Sequence, residues 1–150
     1  MKFRFVAALL AVVFVACDSL SDTDVEVRDA VSGFAGSYFN YDLQKAVDYC
    51  TPESRKWIRF VASNILQADV DVLHSQHECA SVDIQNIEYT SGDTCGIVTV
   101  KIRNFMQIDD IGRPGHIVDD AVFHIPVVNR NGRWLVRMAG PLRSERSYRD

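Results

Sequence analysis

The chain has 150 residues, which is enough for one ordinary domain, and 47% of them are apolar. This composition excludes an intrinsically disordered or low-complexity protein. The formal net charge of −4 argues against a protein that binds nucleic acid through a basic surface.

The N-terminus has the pattern of an export signal. Lys2 and Arg4 form a short basic region, and residues 5–16 follow as an unbroken run of twelve apolar residues. This run is shorter than the ~20 residues that a membrane-spanning helix needs, and it matches the apolar region of a signal peptide. The pattern therefore predicts a signal peptide over residues 1–16.

The apolar run ends at a cysteine, and Phe14-Val15-Ala16-Cys17 resembles the lipobox of bacterial lipoproteins. The resemblance implies that Cys17 is lipidated and becomes the first residue of the mature protein, with residues 17–24 as an acidic tether. The alternative is a plain secretory peptide, with Cys17 free or in a disulfide. The lipoprotein interpretation predicts a protein anchored in the bacterial cell envelope by its acyl chains, facing the periplasm or the cell surface.

Export also changes the charge and the cysteine chemistry. Loss of residues 1–16 removes two basic residues and no acid, so the net charge changes from −4 to −6. Disulfides are permitted outside the cytoplasm. With Cys17 lipidated, an odd number of cysteines remains, so we predict one intramolecular bridge with the pairing open among Cys50, Cys79 and Cys95.

The next stretch is predicted to be helical, because its apolar residues recur at three- and four-residue steps. The first helix is predicted over residues 22–39 and the second over residues 43–50. Thr51-Pro52-Glu53 begins a third, with proline at the first helical position and an acid in the first turn. Residues 67–78 are polar enough to be a connection.

After Cys79 the apolar period changes from helical to two, which predicts strands. Residues 80–89 alternate with a phase shift that indicates a bulge, and turns at Ser91-Gly92-Asp93 and Asn131-Gly132 close two hairpins. Pro126 lies within the third strand and is expected to mark a bulge or a strand end. The sequence thus predicts an α+β domain of three N-terminal helices packed on a four-stranded antiparallel sheet, followed by a basic, mobile tail over residues 140–150.

Two parts of the chain resemble small bacterial lipoproteins of the nuclear-transport-factor-two-like (NTF2-like) superfamily. They are residues 34–46 with Cys50-Thr51-Pro52-Glu53-Ser54, and the final Asn131-Gly132-Arg133-Trp134. The resemblance implies an NTF2-like domain over residues 25–139, in which a curved sheet wraps around the helices as a cone with a cavity at its wide end. In that superfamily the cavity serves isomerases, dehydratases and hydrolases, and also non-catalytic binding modules.

The resemblance directs attention to ionisable groups inside the cone, where paired acids and bases act in the enzymes of the superfamily. The candidates for such a role are Tyr38, Asp83, Asp119 and His124. Asp83 lies on the polar phase of its strand and His124 lies between two large apolar residues, so the sequence assigns no catalytic residue. The residues predicted to line a pocket are Tyr38, Trp57, Phe123 and His124.

No metal or cofactor is predicted. His74 and His77 stand beside Glu78 and Cys79, but their order fits neither zinc-protease motif and no distant cysteine pair completes a ligand set. Paired aspartates at 109–110 and 119–120 lack the spacing of a calcium loop.

Three functions remain open at this point. The favoured one is a membrane-anchored, non-catalytic module that binds a small ligand or an envelope protein. The alternatives are an enzyme that uses the cone for acid–base chemistry, and a structural envelope component recruited by its basic tail. The strand over residues 122–128 is apolar on both faces, which suggests a homodimer through the outer face of the sheet.

Overall fold

The computed structural model describes residues 20–90 and 92–145. The predicted signal peptide, the predicted lipidation site Cys17 and the last five residues lie outside the described residues. Within the described part, no helix is both long and apolar enough to cross a membrane.

Four helices precede the sheet. They are α1 (Asp22–Tyr38), α2 (Leu43–Ala46), α3 (Arg55–Ser63) and α4 (Gln67–Ser75), and short 3₁₀ turns at Val47–Tyr49 and Pro52–Ser54 connect α2 to α3. Helix α1 begins at Asp22, as predicted for the first helix, and its first residues overlap the tether predicted over residues 17–24. The Ser21 side chain caps this helix by accepting a hydrogen bond from the Asp24 N–H at 3.1 Å.

Helix α4 occupies a stretch that was predicted to be a connection, and Asp69 explains why it forms. This side chain is fully buried, and its carboxylate accepts one hydrogen bond from the Leu66 N–H at 2.7 Å and another from the Gly115 N–H at 2.6 Å. The first bond satisfies a free donor at the start of α4, and the second ties the helix to the loop before the third strand. A polar sequence thus folds into a helix because one buried carboxylate joins it to the sheet.

The sheet contains four antiparallel strands in the order β1 (Ser81–Tyr89), β2 (Cys95–Gln107), β3 (His116–Arg130) and β4 (Arg133–Val136). The predicted bulge in the first strand is confirmed, since the register with β2 shifts between Ile84 and Asn86. The α+β fold class is confirmed as well.

Pro126 does not bulge β3, because it pairs with Ile97 of β2 in unbroken register. Its carbonyl accepts a hydrogen bond from the Arg137 N–H at 2.9 Å, just beyond the end of β4. In an antiparallel strand the N–H and C=O of a residue point to the same side, so the missing proline donor faces β4 and not β2. Pro126 therefore ends the β3–β4 ladder and leaves the β2–β3 ladder intact.

The core lies between the helices and one face of the sheet. The inner face of the sheet is formed by buried residues that alternate with exposed ones along β2 and β3. Helix α1 packs on this face through a stripe of residues at helical spacing, namely Val27, Ala30, Val31, Phe34, Ala35 and Tyr38.

The predicted disulfide is absent, and the topology explains its absence. Cys50, Cys79 and Cys95 are all free thiols. Cys79 and Cys95 lie near opposite ends of the β1–β2 hairpin, about 25 Å apart. Cys50 neighbours Val136 on β4, so about three strand spacings, or ~14 Å, separate it from Cys95. Cys50 and Cys79 are also far apart, because Val136 is level with Gly96 on β2 while Cys79 lies beyond the Ser81–Arg103 pair at the other end of the hairpin. All three separations exceed the ~7 Å limit for Cα atoms joined by a disulfide.

The segment after β4, predicted to be mobile from residue 140, is ordered as far as Glu145. The Glu145 N–H donates to the Val122 carbonyl at 2.8 Å, and Leu142 packs against the core. The segment thus continues along the edge of β3 where β4 has ended, and we refer to residues 141–145 as the C-terminal strap.

Candidate functional site

A cluster of aromatic rings closes the space between the end of α1 and the sheet. The Phe39 ring lies 5.4 Å from Phe105 and 4.7 Å from Phe123, measured between centroids, and Phe105 lies 5.6 Å from Phe123. Tyr38 stacks on Phe34 at 5.4 Å and meets Phe39 edge-on at 5.2 Å. These offset and edge-to-face geometries are the favourable ones for aromatic pairs. The five rings are called the aromatic cluster below.

Two asparagines place these rings. Asn104 has a left-handed backbone conformation with φ of 54°, which asparagine tolerates better than most residues. The strand alternation breaks there, so Phe105 and Met106 are both buried. Asn40 receives a hydrogen bond from the Ala80 N–H at 2.8 Å and donates to the Ala80 carbonyl at 3.1 Å, which fixes the end of α1 against the start of β1.

A cavity of about 380 Å³ lies above the aromatic cluster, at the mouth of the fold. Its walls come from the end of α1, the end of α3, the β2–β3 loop and the C-terminal strap. Its volume falls within the range of small-molecule sites. The aromatic residues of the lining are Tyr38, Phe39, Tyr41, Phe60, Phe105 and Phe123.

Tyr38 is one of the buried residues that line this cavity. It is 8% exposed, and burial raises the pKa of its hydroxyl to about 12, while a backbone hydrogen bond from Leu142 partly opposes the rise. The Tyr38 hydroxyl is therefore protonated at any physiological pH. None of the hydrogen bonds among the described residues has this hydroxyl as donor.

The other ionisable residues that line the cavity are Tyr41, Asp109, Asp110 and Arg143. Burial raises the pKa of the Tyr41 hydroxyl, which donates to the Met106 carbonyl at 3.2 Å. Asp109 lies 3.5 Å from the ring of His116, and Asp110 lies 3.8 Å from Arg113. Both aspartates belong to the β2–β3 loop, and the exposed Arg143 belongs to the C-terminal strap.

The four residues predicted to line a pocket divide into two pairs. Tyr38 and Phe123 line the cavity. Trp57 does not line it, and its ring instead packs edge-on against Phe60 at 6.4 Å. His124 lies on the outer face of the sheet, where its Nδ1 is 3.1 Å from the Thr99 hydroxyl and its Nε2 contacts the Glu145 carboxylate.

The remaining candidates for acid–base chemistry lie outside the cavity. Asp83 and Asp119 are both exposed and do not contribute to its lining. In residues 20–90 and 92–145, no group of three or more His, Cys, Asp or Glu residues is arranged to hold a metal ion.

Sequence reasoning missed several lining residues. Phe39 follows the predicted pocket residue Tyr38 within residues 34–46, the stretch that resembles the NTF2-like superfamily. This resemblance could therefore have identified Phe39 as well. Phe105 was hidden because the break in alternation at Asn104 has no sequence signature of its own. The contribution of the C-terminal strap was also missed, since its composition suggested mobility.

A second, more open groove of about 490 Å³ lies between α1 and the β3–β4 turn. Its walls include Glu26, Asp29 and Arg133, and its aromatic side chains are Tyr49 and Trp134. The side-chain ring of Tyr49 requires glycine at position 33, because a Cβ there would lie 2.3 Å from the ring. The smaller cavity is the better candidate site, because it is more enclosed and contains a buried hydroxyl donor.

Helices on one face of a four-stranded antiparallel sheet, with a cavity between the two layers, define an NTF2-like or cystatin-like α+β fold. One solved structure with a TM-score of 0.50 is an NTF2-like protein of unknown function from Shewanella oneidensis, which is 13% identical. The match covers 75% of this chain and 92% of the other. It shows the fold, and the fold predicted from the sequence resemblance is thereby confirmed.

Two further solved structures show a weaker similarity. A protein of unknown function from Mycobacterium tuberculosis is 11% identical, with a TM-score of 0.49 and coverage of 83% of this chain and 72% of the other. A protein with a cystatin-like fold from Nostoc punctiforme is also 11% identical, with a TM-score of 0.47 and coverage of 85% and 96%. No protein-family model and no curated protein matches the sequence.

Proposed function

We propose that this protein is a lipid-anchored lipoprotein of the bacterial cell envelope whose NTF2-like domain binds a small ligand without chemical conversion. The observation that carries the binding role is the cavity at the mouth of the fold, whose lining includes six aromatic residues, among them the buried Tyr38. Such a site suits a ligand with a flat or branched apolar body and one hydrogen-bond acceptor.

Binding is favoured over catalysis because of how the ionisable groups are distributed. An acid–base enzyme needs a proton donor and a proton acceptor that both reach the substrate. Asp83, Asp119 and His124 do not line the cavity. Asp109 and Asp110 do line it, but they lie next to His116 and Arg113. Tyr38 can donate a hydrogen bond, but a hydroxyl with a pKa of about 12 is a poor proton acceptor at neutral pH.

A dye can test the site without knowledge of the natural ligand. Anilinonaphthalene sulfonate combines an apolar ring system with acceptor oxygens, and its fluorescence reports binding. We expect Tyr38→Phe to weaken dye binding by about 5- to 10-fold, since one hydrogen bond is lost. Val61→Trp, which fills the cavity from α3, should abolish binding.

The matched control is Tyr49→Phe, which removes a tyrosine hydroxyl from the groove between α1 and the β3–β4 turn. Dye affinity should not change in this variant. If Tyr38→Phe and Val61→Trp both bind the dye as tightly as the unsubstituted protein, the cavity is not the binding site.

The anchor is tested separately. Intact-mass analysis of the mature protein should show acyl chains on Cys17, and Cys17→Ser should release the protein from the membrane fraction. An unmodified Cys17, or cleavage at another position, would reject the lipoprotein assignment while leaving the ligand site untouched.

A further inference from the structure

The exposed side of helix α3 carries three basic residues and one aromatic ring. At 100° per residue, Arg55, Lys56, Arg59 and Phe60 fall within an arc of about 140°. All four are exposed, whereas Ile58 on the opposite side is buried and packs into the core. These four residues are called the α3 basic face below.

The positive charge of this face is not neutralised by neighbouring carboxylates. Helix α3 contains no acidic residue, and none of its three cations takes part in the salt bridges of residues 20–90 and 92–145. Glu53, just before the helix, is held by Arg130 at 2.7 Å. A chain with a formal net charge of −4 thus concentrates three unpaired positive charges on one short helix.

Aromatic side chains accompany these charges. Phe60 is 40% exposed, and the half-buried Trp57 supports it from the side. The Lys56 ammonium lies 5.2 Å from the centre of the Trp57 ring. Cations next to an exposed aromatic ring match the headgroup region of a bilayer, where phosphates attract the cations and the ring enters the apolar boundary.

We propose that the α3 basic face docks onto the headgroups of an anionic phospholipid bilayer. Charge complementarity favours this partner, because the surface potential of such a bilayer is negative and the rest of the chain is acidic. The proposed lipid anchor would raise the local concentration of this face at the membrane, but the contact itself does not depend on the anchor. Since Phe60 also lines the cavity, docking would bring the cavity mouth to the headgroups.

The experiment uses the chain from residue 17 onward with Cys17→Ser, so that no acyl chain contributes. Co-sedimentation is measured with phosphatidylcholine vesicles, with and without phosphatidylglycerol. Binding is expected only to the vesicles that contain phosphatidylglycerol and should decrease as salt is added. On binding, Trp57 emission should shift to shorter wavelength, while the buried Trp134 provides a constant background.

The informative variant is Lys56→Glu/Arg59→Glu, for which we expect vesicle affinity to fall by at least 10-fold. Lys45→Glu/Arg103→Glu is the matched control, because it makes the same change in net charge at exposed positions elsewhere. Equal losses in the two double variants would overturn the proposal in favour of a bulk charge effect. Absence of vesicle binding by the Cys17→Ser chain, or binding only to an acidic protein, would also overturn it.

The vesicle assay and the dye assay test two separate proposals, so a negative result in one does not reject the other. A chain that binds vesicles through α3 but does not bind the dye retains the docking surface and loses the proposed ligand site. A chain that binds the dye but does not bind vesicles would reject docking through the α3 basic face and leave the proposed ligand site in place.

Discussion

The inner and outer faces of the sheet come from the same strands but respond to different constraints. Phe123 and His124 are neighbours on β3. Phe123 is buried and packs against Phe39 and Phe105, whereas the His124 side chain is 46% exposed and contacts Thr99 and Glu145. One step along a strand thus separates a residue of the core from a residue of the surface.

This difference shows where stability and binding are coupled. The rings of the inner face form the base of the cavity and also fill the core, so a substitution there changes both properties. Residues of the outer face pack less and can be changed with little effect on folding.

Phe105→Ala should cause the largest loss of stability. Phe105 is 1% exposed and contacts two other rings of the aromatic cluster, so truncation leaves a cavity in a packed core. We expect the free energy of unfolding to fall by about 3–5 kcal/mol, measured by urea denaturation. The control is Ile97→Ala on the outer face, where Ile97 is 41% exposed and a loss below about 1 kcal/mol is expected. Similar losses at the two positions would contradict the contrast.

Asp69→Ala should show that a buried polar group can matter nearly as much as a buried ring. Its carboxylate satisfies two backbone N–H groups, and truncation would leave both without a partner. We expect a loss of about 2–4 kcal/mol in the same denaturation experiment, together with reduced helical signal from α4. Asp83→Ala on the outer face is the matched control, with a change within about 0.5 kcal/mol. A stable Asp69→Ala protein would show that α4 forms without this anchor.

The contrast between the two faces of the sheet was largely predictable from the sequence, because apolar and polar residues alternate along each strand and so indicate which face is buried. The alternation over Val98, Val100 and Ile102 predicted the inner face of β2 correctly. The helical spacing of Val27, Val31 and Phe34 did the same for α1. Both patterns are local, and each repeats several times within its own element.

The exceptions depend on contacts between distant parts of the chain. Helix α4 was missed because the partner of Asp69 is Gly115, and the strap was missed because its contacts are with Val122 and Tyr38. His124 was predicted for the pocket from the resemblance to the superfamily, although the period of the strand itself places it on the outer face.

Tyr38 should make stability depend on pH in the alkaline range. Its pKa is about 12 in the folded protein and about 10 in the unfolded chain, so the unfolded chain loses its proton first as the pH rises. The contribution of the Tyr38 hydroxyl to the free energy of unfolding is therefore complete below pH 10. It decreases by roughly 2 kcal/mol between pH 10 and pH 12. Unfolding free energies measured across this range should fall less steeply for Tyr38→Phe. Parallel curves for the two proteins would show that the hydroxyl is accessible to water.

His124→Ala should have the smallest effect, although His124 has more polar contacts than Phe105. Its partner Glu145 is also exposed, with 55% of its side chain accessible, so water screens the pair. Exposed side-chain pairs of this kind contribute at most about 1 kcal/mol, and the coupling energy from a double-mutant cycle of His124→Ala and Glu145→Ala should lie between zero and this value. The backbone bond between Glu145 and Val122 does not involve either side chain, so we expect the strap to stay in place in both variants. Limited proteolysis checks this, since rapid cleavage within residues 141–145 in either variant would mean that the side-chain pair, and not the backbone bond, holds the strap over the cavity.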